Sequence, residues 1–187
     1  AGNLRDDLMK DSTRMDNPPF FTEPHGMLWR KCTVHYKIVP IKRKLRELTN
    51  GEPCVQWIGI STDEAQRMKP SDAKYITHRW PLIDAGVSRL DCLKWMAKNK
   101  YPTPPKSACT FCSYHDDAMW RDMKANDPES FADAVAVDIA IRNRPWAEQK
   151  MFLHRSHKPL SEVDFRTAED AGQLSMFGNE CEGMCNT

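Results

Sequence analysis

Val55-Gln56-Trp57-Ile58-Gly59-Ile60 runs directly into Ser61-Thr62-Asp63-Glu64, and then Arg67, Lys69 and Pro70. A short run rich in β-branched and aromatic residues, bounded by turn residues, reads as a buried strand. A strand that ends in a polar loop is where open α/β sheets bind ligands. Upstream, Ile38, Ile41, Leu45 and Leu48 recur at helical spacing from Tyr36 onward, and Asn50-Gly51 closes that helix. Pro40 is compatible with it only inside the first turn. Downstream, Ser88 with Asp91 forms a capping-box variant that opens another helix through Leu93, Trp95 and Met96. Helix, strand, polar loop and helix in succession predict an α/β fold with a short parallel sheet and flanking helices.

Outside this segment the pattern is less regular. Leu4 and Leu8 suggest a short helix, and Pro18-Pro19 and Gly26 mark loop. Prolines crowd residues 101–105, which read as loop. Two further helices are expected at residues 116–124 and 128–142, the second with Pro128 in its first turn and a core stripe of Phe131, Val135 and Ile139. Beyond Asn143 the periodicity thins. Residues 1–142 are thus expected to form the α/β domain, with residues 143–187 a C-terminal extension carrying a cysteine-bearing tail.

Composition narrows the classes. The chain has 187 residues, 40% hydrophobic and 28% charged, which suits a globular domain. A formal net charge of +1 gives no global field for nucleic acid or an anionic membrane. No apolar run approaches the roughly 18 residues that span a bilayer, and Ala1-Gly2-Asn3-Leu4-Arg5 lacks a signal-peptide pattern. Seven cysteines, an odd number and clustered, argue against a secreted disulfide scaffold and for a reducing cytoplasm. The P-loop, dinucleotide-fold, zincin and nucleophile-elbow motifs are all missing from the sequence.

The chemistry-bearing residues are mainly cysteines. Cys109-x-x-Cys112 on a loop can hold one metal ion or cluster from a single turn, or serve as a redox pair, and His115 offers a third local ligand. Two buried, unligated cysteines are the plainer alternative. Cys32 follows Arg30-Lys31 near a helix start, where positive charge and the helix dipole favour thiolate. Cys54 and Cys92 read as packing. Cys181 and Cys185 lie in a glycine-containing, acidic terminus suited to an exposed nucleophile or a late-arriving ligand. The basic run Lys42, Arg43, Lys44 and Arg46 is a solvated face or an anion-binding one.

Taken in order, these segments resemble the phosphoadenosine (PAPS) and adenosine phosphosulfate reductase family of the PP-loop adenine nucleotide alpha hydrolase superfamily. Arg30-Lys31-Cys32-Thr33 with Lys37-Ile38-x-Pro40-Ile41 resembles the cysteine-containing R-K-V-x-P-L segment. Trp57-Ile58-Gly59-Ile60 with Asp63-Glu64-x-x-Arg67 resembles the strand and substrate loop that follow. Trp80-Pro81-Leu82-Ile83 resembles the start of the next strand. Cys109-x-x-Cys112 falls where iron–sulfur members carry their second cysteine pair, and the E-C-E-G-M-C ending resembles both the E-C-G-L-H tail and the ending of certain bacterial and phage reductase-like proteins.

The resemblance implies an adenine nucleotide alpha hydrolase-like (Rossmann-like) parallel sheet, incomplete in this chain, because the S-G-G-x-D-S phosphate loop is missing. That loop is expected on a missing N-terminal segment or a separate partner chain. It further implies nucleotide-dependent sulfur transfer, reduction or adenylation, with ATP or another adenine nucleotide, or a phosphosulfate-type substrate, held by Lys37, Arg43, Arg67 and Lys69. Cys181 or Cys185 would attack sulfur, with a thioredoxin-like reductant completing thiol–disulfide exchange. Cys32, Cys109, Cys112 and His115 would ligate a 4Fe–4S cluster or Zn²⁺. The chain has Cys32-Thr33 where iron–sulfur members have a double cysteine, so the fourth ligand would come from His115, Cys185 or elsewhere. The competing expectation is a non-catalytic module closed by Zn²⁺ on Cys32, Cys109, Cys112 and His115, binding a protein or nucleic acid through the 42–46 face.

Overall fold

A computed structural model of the chain describes residues 2–10, 18–24, 26–104, 107–145 and 147–166. The protein is mixed α/β, with helices, a small parallel pair of strands and a separate antiparallel sheet. It divides into two compact units, residues 1–39 with 108–187, and residues 40–107. Among the described residues no helix is long and apolar enough to cross a membrane.

The first unit holds helices α1 (Leu4–Met9), α5 (Asp117–Asn126) and α6 (Pro128–Arg142), and strands β1 (Phe21–Thr22), β2 (Gly26–Met27) and β5 (Met151–Phe152). The strands form an antiparallel sheet in the order β2-β1-β5, with Phe21 opposite both Met27 and Phe152. A Cβ at Gly26 would stand 2.9 Å from Thr22 Oγ1, so a larger residue there would have to displace the Thr22 side chain. Each later helix is capped from its own sequence. Asp116 accepts from the Met119 amide at 2.7 Å, and Asp127 from the Ser130 amide at 3.1 Å. The core gathers Leu8, Phe20, Phe111, Trp120, Phe131, Val137, Ile141, Leu153, Leu160 and Phe165, among others.

Three sequence expectations change here. The core stripe of α6 is Phe131, Ala134, Val137, Asp138 and Ile141, while Ile139 is 65% exposed. Steps of four residues drift about 40° around a helix of 3.6 residues per turn, so a 131-135-139 line walks off the buried face. Pro18 and Pro19 lie in loop as expected, buried together with Phe20, but Gly26, also expected in loop, opens strand β2. The boundary expected at 142–143 falls inside this unit, since β5 pairs with β1 and Leu160, Val163 and Phe165 join the core.

Asp138 sits in the middle of that apolar stripe. Its carboxylate accepts the Leu153 and Leu160 amides, both at 3.0 Å, and pairs with Arg142. One buried side chain thereby satisfies two backbone donors of the segment that follows α6.

The helical run that leads out of this unit begins at Cys32. It passes through a π turn at Val34–Ile38 and continues as α2 (Val39–Leu48). Pro40 explains the widening. Its ring crowds the carbonyl four residues back and it donates no amide bond. In the π turn the Val39 amide reaches the Val34 carbonyl, five residues back, so the ladder opens just ahead of the proline. The helix therefore starts earlier than Tyr36, with Pro40 outside its first turn.

The second unit contains the body of α2, then β3 (Cys54–Trp57), a 3-10 turn at Thr62–Arg67, β4 (Ile76–Arg79), α3 (Pro81–Asp84) and α4 (Arg89–Lys98). β3 and β4 are parallel, with Cys54 opposite Ile76 and Trp57 opposite Arg79. The strand at Ile76–Arg79 precedes the segment expected to begin it, and Trp80-Pro81-Leu82-Ile83 instead starts helix α3, with Pro81 in its first turn. The β3 strand is also shorter than expected and is not buried: Val55 is 60% and Trp57 75% exposed. Ile60, Ser61 and Ile76 are the fully buried residues of this unit among those described. With two strands and no layer over the Val55 and Trp57 face among the described residues, that face meets solvent.

Candidate functional site

The cysteine turn is built on a hydrophobic anchor. Phe111, between Cys109 and Cys112, is 5% exposed and inserts into the core. The chain then makes two successive turns, the Cys112 amide donating to the Cys109 carbonyl (3.0 Å) and the His115 amide to the Cys112 carbonyl (3.1 Å). The Tyr114 amide donates to the Cys112 sulfur. His115 is buried, its ring edge-on to Trp120 with centroids 4.6 Å apart. The Arg30 guanidinium lies 5.7 Å from the centroid of the Tyr114 ring.

Cys32 enters the same neighbourhood from the start of the helical run. Burial pushes the Cys112 thiol up; the Tyr114 amide opposes this, the negative charge of Cys109 and of Cys32 adds to it, and Arg30 offsets part. Cys32, Cys109 and Arg30 therefore all act on the Cys112 thiol within one region of the first unit. Cys109 is exposed, and Cys32 and Cys112 are half-buried. Around them Arg30 Nη1, Thr33 Oγ1 and Ser113 Oγ are buried without a hydrogen-bond partner. Buried polar atoms in folded proteins are nearly always paired; Trp80 Nε1 and Trp120 Nε1 share this state elsewhere in the protein. Among the described residues no three His, Cys, Asp or Glu side chains converge closely enough to hold an ion in this arrangement. The donor set of three sulfurs beside one imidazole suits soft, thiophilic centres, Zn²⁺ or iron–sulfur.

The tail residues Cys181 and Cys185 lie outside the described residues. Cys54 opens β3 and Cys92 sits in α4, both half-buried.

The four basic residues expected at substrate fall in both units. Lys37 is exposed on the π turn of the first unit, while Arg43, Arg67 and Lys69 belong to the second and are exposed. Arg67 is paired with Glu64. The Lys69 carbonyl accepts from His78 Nδ1 at 2.8 Å. The start of α4 is also closed. Ser88 and Asp91 cap each other's amides, and Asp63 accepts the Arg89 amide at 2.5 Å. Those amide donors are therefore taken by carboxylate and hydroxyl groups of the chain.

At the carboxyl ends of β3 and β4 lies an open groove of about 360 Å³, lined by Val55, Trp57, Arg79, Pro81, Asp84 and Ala85. Arg79 and Asp84 pair across it at 3.1 Å. A second groove, of about 480 Å³, borders the cysteine turn through Thr110, with the ion pair of Arg5 and Asp133 and with Glu129 and Ser130 in its wall. Sequence reasoning passed over Trp57, Arg79, Thr33 and Ser113 as site residues. A basic residue at the end of a strand paired with an aromatic one was the available signal for the first two; nothing local announced the others. Compared with known proteins, the chain matches no family model, no curated protein and no solved structure.

Proposed function

We propose that the chain belongs to a PAPS reductase-like protein of the PP-loop type, acting in nucleotide-dependent sulfur transfer, reduction or adenylation through a thiol-ligated centre at Cys32, Cys109 and Cys112. The observation that carries this reading is that Cys32, from a distant part of the sequence, lies within electrostatic range of the Cys109-x-x-Cys112 turn, as Arg30 does. Three thiols in one region repel one another as thiolates, and a bound cation or cluster removes that penalty. A cluster held there would supply electron transfer or electrostatic tuning of a sulfur-bearing substrate. The chain's own contribution is to aim the sulfurs: Phe111 fixes the turn, the Tyr114 amide supports the Cys112 sulfur, and Arg30 balances charge. The exposure of Cys109 leaves the centre open to a small substrate or a thioredoxin-like reductant. A reducing cytoplasm would keep these thiols available.

The groove at the ends of β3 and β4 supports the nucleotide half of the reading. Ligands of Rossmann-like sheets sit at the carboxyl ends of parallel strands, and the exposed Trp57 indole offers a flat face to an adenine ring. The phosphate cradle would come from outside the sequence present here.

A zinc-closed module is the second reading, favoured by the buried His115 three residues after Cys112 and by the amide-to-sulfur bond from Tyr114. Anaerobic purification followed by iron, acid-labile sulfide and zinc analysis separates the two. Iron with sulfide supports the first, zinc alone the second, and neither metal removes the ligated centre.

A further inference from the structure

The carboxyl end of α4 carries a feature that the thiol centre does not use. Trp95 and Tyr101 are 59% and 57% exposed, and their rings stack with centroids 5.6 Å apart and planes 10° from parallel. The backbone produces this stack. The Tyr101 amide returns to the Met96 carbonyl at 2.9 Å and the Lys100 amide to the Ala97 carbonyl at 3.1 Å. That is the paired ending of a Schellman motif, which folds the chain back on the last helical turn. Its left-handed position is normally glycine, but here it is Lys100 at φ +60°. The residue in this left-handed position is a lysine next in sequence to Tyr101.

Lys98 stands one turn beyond Trp95 on the helix, and Lys94 is its neighbour in sequence. Among the described residues no carboxylate forms an ion pair with Lys94, Lys98 or Lys100. Asp91, the acid nearest Lys94, is engaged in the Ser88 capping box. The surface thus combines a preformed aromatic shelf with three lysines that form no close ion pair among the described residues, Lys94 acting on Asp91 only through its charge.

We propose that this shelf, Trp95 and Tyr101 with Lys94, Lys98 and Lys100, binds single-stranded nucleic acid. Bases stack on exposed aromatic faces whatever their identity, and lysines meet the phosphates that link them. A duplex hides its base faces and cannot use the shelf, so single strands are preferred. The site lies wholly within the second unit and is independent of any metal at the cysteines.

The test is fluorescence anisotropy of a labelled oligothymidylate against the full chain at low salt, with a duplex of equal length in parallel. Single-strand binding is expected to exceed duplex binding, with a log–log salt slope of about −2 from three lysine–phosphate contacts. Trp95→Ala should weaken binding by about 5- to 150-fold, the worth of one base stack, while Trp95→Phe retains most of it. Lys100→Gly should weaken binding and raise Tm together, because glycine accepts the left-handed position without strain. A purely structural Lys100 would give the rise in Tm alone. Absence of binding, equal affinity for duplex, or undiminished binding by Trp95→Ala would each overturn the proposal. Replacing Cys32, Cys109 or Cys112 by Ser should leave this binding unchanged, which keeps its failure distinct from failure of the thiol centre.

Discussion

Replacing Asp138 with Ala tests how the first unit is held closed. The Asp138 side chain is 1% exposed and accepts two backbone amides, of Leu153 and Leu160, at 3.0 Å each. Without it both amides stay buried and unpaired, at about 1–3 kcal/mol apiece. Arg142 also loses its partner, but its side chain is 15% exposed and can turn toward water, so its share is small. Asp138→Ala is therefore expected to cost about 4 kcal/mol, a large part of the roughly 5–15 kcal/mol that stabilises a typical domain. For a chain of this size that lowers Tm by about 8–16 °C. Arg142→Leu keeps both amide bonds and should cost less than half as much. Thermal and urea unfolding followed by circular dichroism measures both. If Arg142→Leu proves as damaging as Asp138→Ala, and the double variant no worse than either, the ion pair and not the amide acceptors holds the segment, and the reasoning fails.

Other outcomes follow from single observations. Among the five described cysteines, the exposed Cys109 should alkylate first and Cys112, whose thiol is pushed up by burial, much later; mass spectrometry after timed iodoacetamide treatment reads the order. Burial raises the Asp117 carboxyl, but its bonds to His154 (2.7 Å) and Arg155 (2.6 Å) outweigh this and hold it below the usual carboxylate range. Its contribution to stability is then present above about pH 4 and lost as pH falls through its folded value, so Asp117→Asn should flatten the acid limb of the stability profile. Trp57→Ala removes an exposed side chain, so it should change stability by less than about 0.5 kcal/mol while abolishing any adenine nucleotide binding seen by calorimetry. Gly26→Ala forces a Cβ to 2.9 Å from Thr22 Oγ1 and should destabilise the antiparallel sheet, visible as faster amide exchange at Leu28.

What the sequence made legible was local. The capping box at Ser88 and Asp91, the two carboxylate-capped helices after Cys112 and the turn at Cys109 depend on residues a few positions apart, and all form as those residues dictate. The antiparallel sheet was invisible because its strands are two residues long, too short for alternation to register, and β5 pairs with β1 across more than a hundred residues. The α6 stripe was misplaced because the buried face includes a carboxylate, Asp138, whose role is fixed by the distant Leu153 and Leu160 amides. Val55 and Trp57 look like core by composition, yet face solvent where nothing described covers the sheet. At the site, Cys109 and Cys112 were legible from spacing alone. Their neighbourhood with Cys32 needed the fold, and the buried polar atoms of Arg30, Thr33 and Ser113 had no signature in the sequence.

Cobalt titration of the fully reduced chain, with single Cys32→Ser, Cys109→Ser and Cys112→Ser variants beside it, addresses the central claim most directly. Thiolate-to-cobalt charge-transfer absorbance counts the sulfurs on the ion. If the three cysteines form one centre, the full chain gives a band of three-thiolate intensity at one cobalt per chain, and each variant loses about a third of that intensity together with affinity. A band that Cys32→Ser leaves untouched would separate Cys32 from the Cys109-x-x-Cys112 turn and contradict the account.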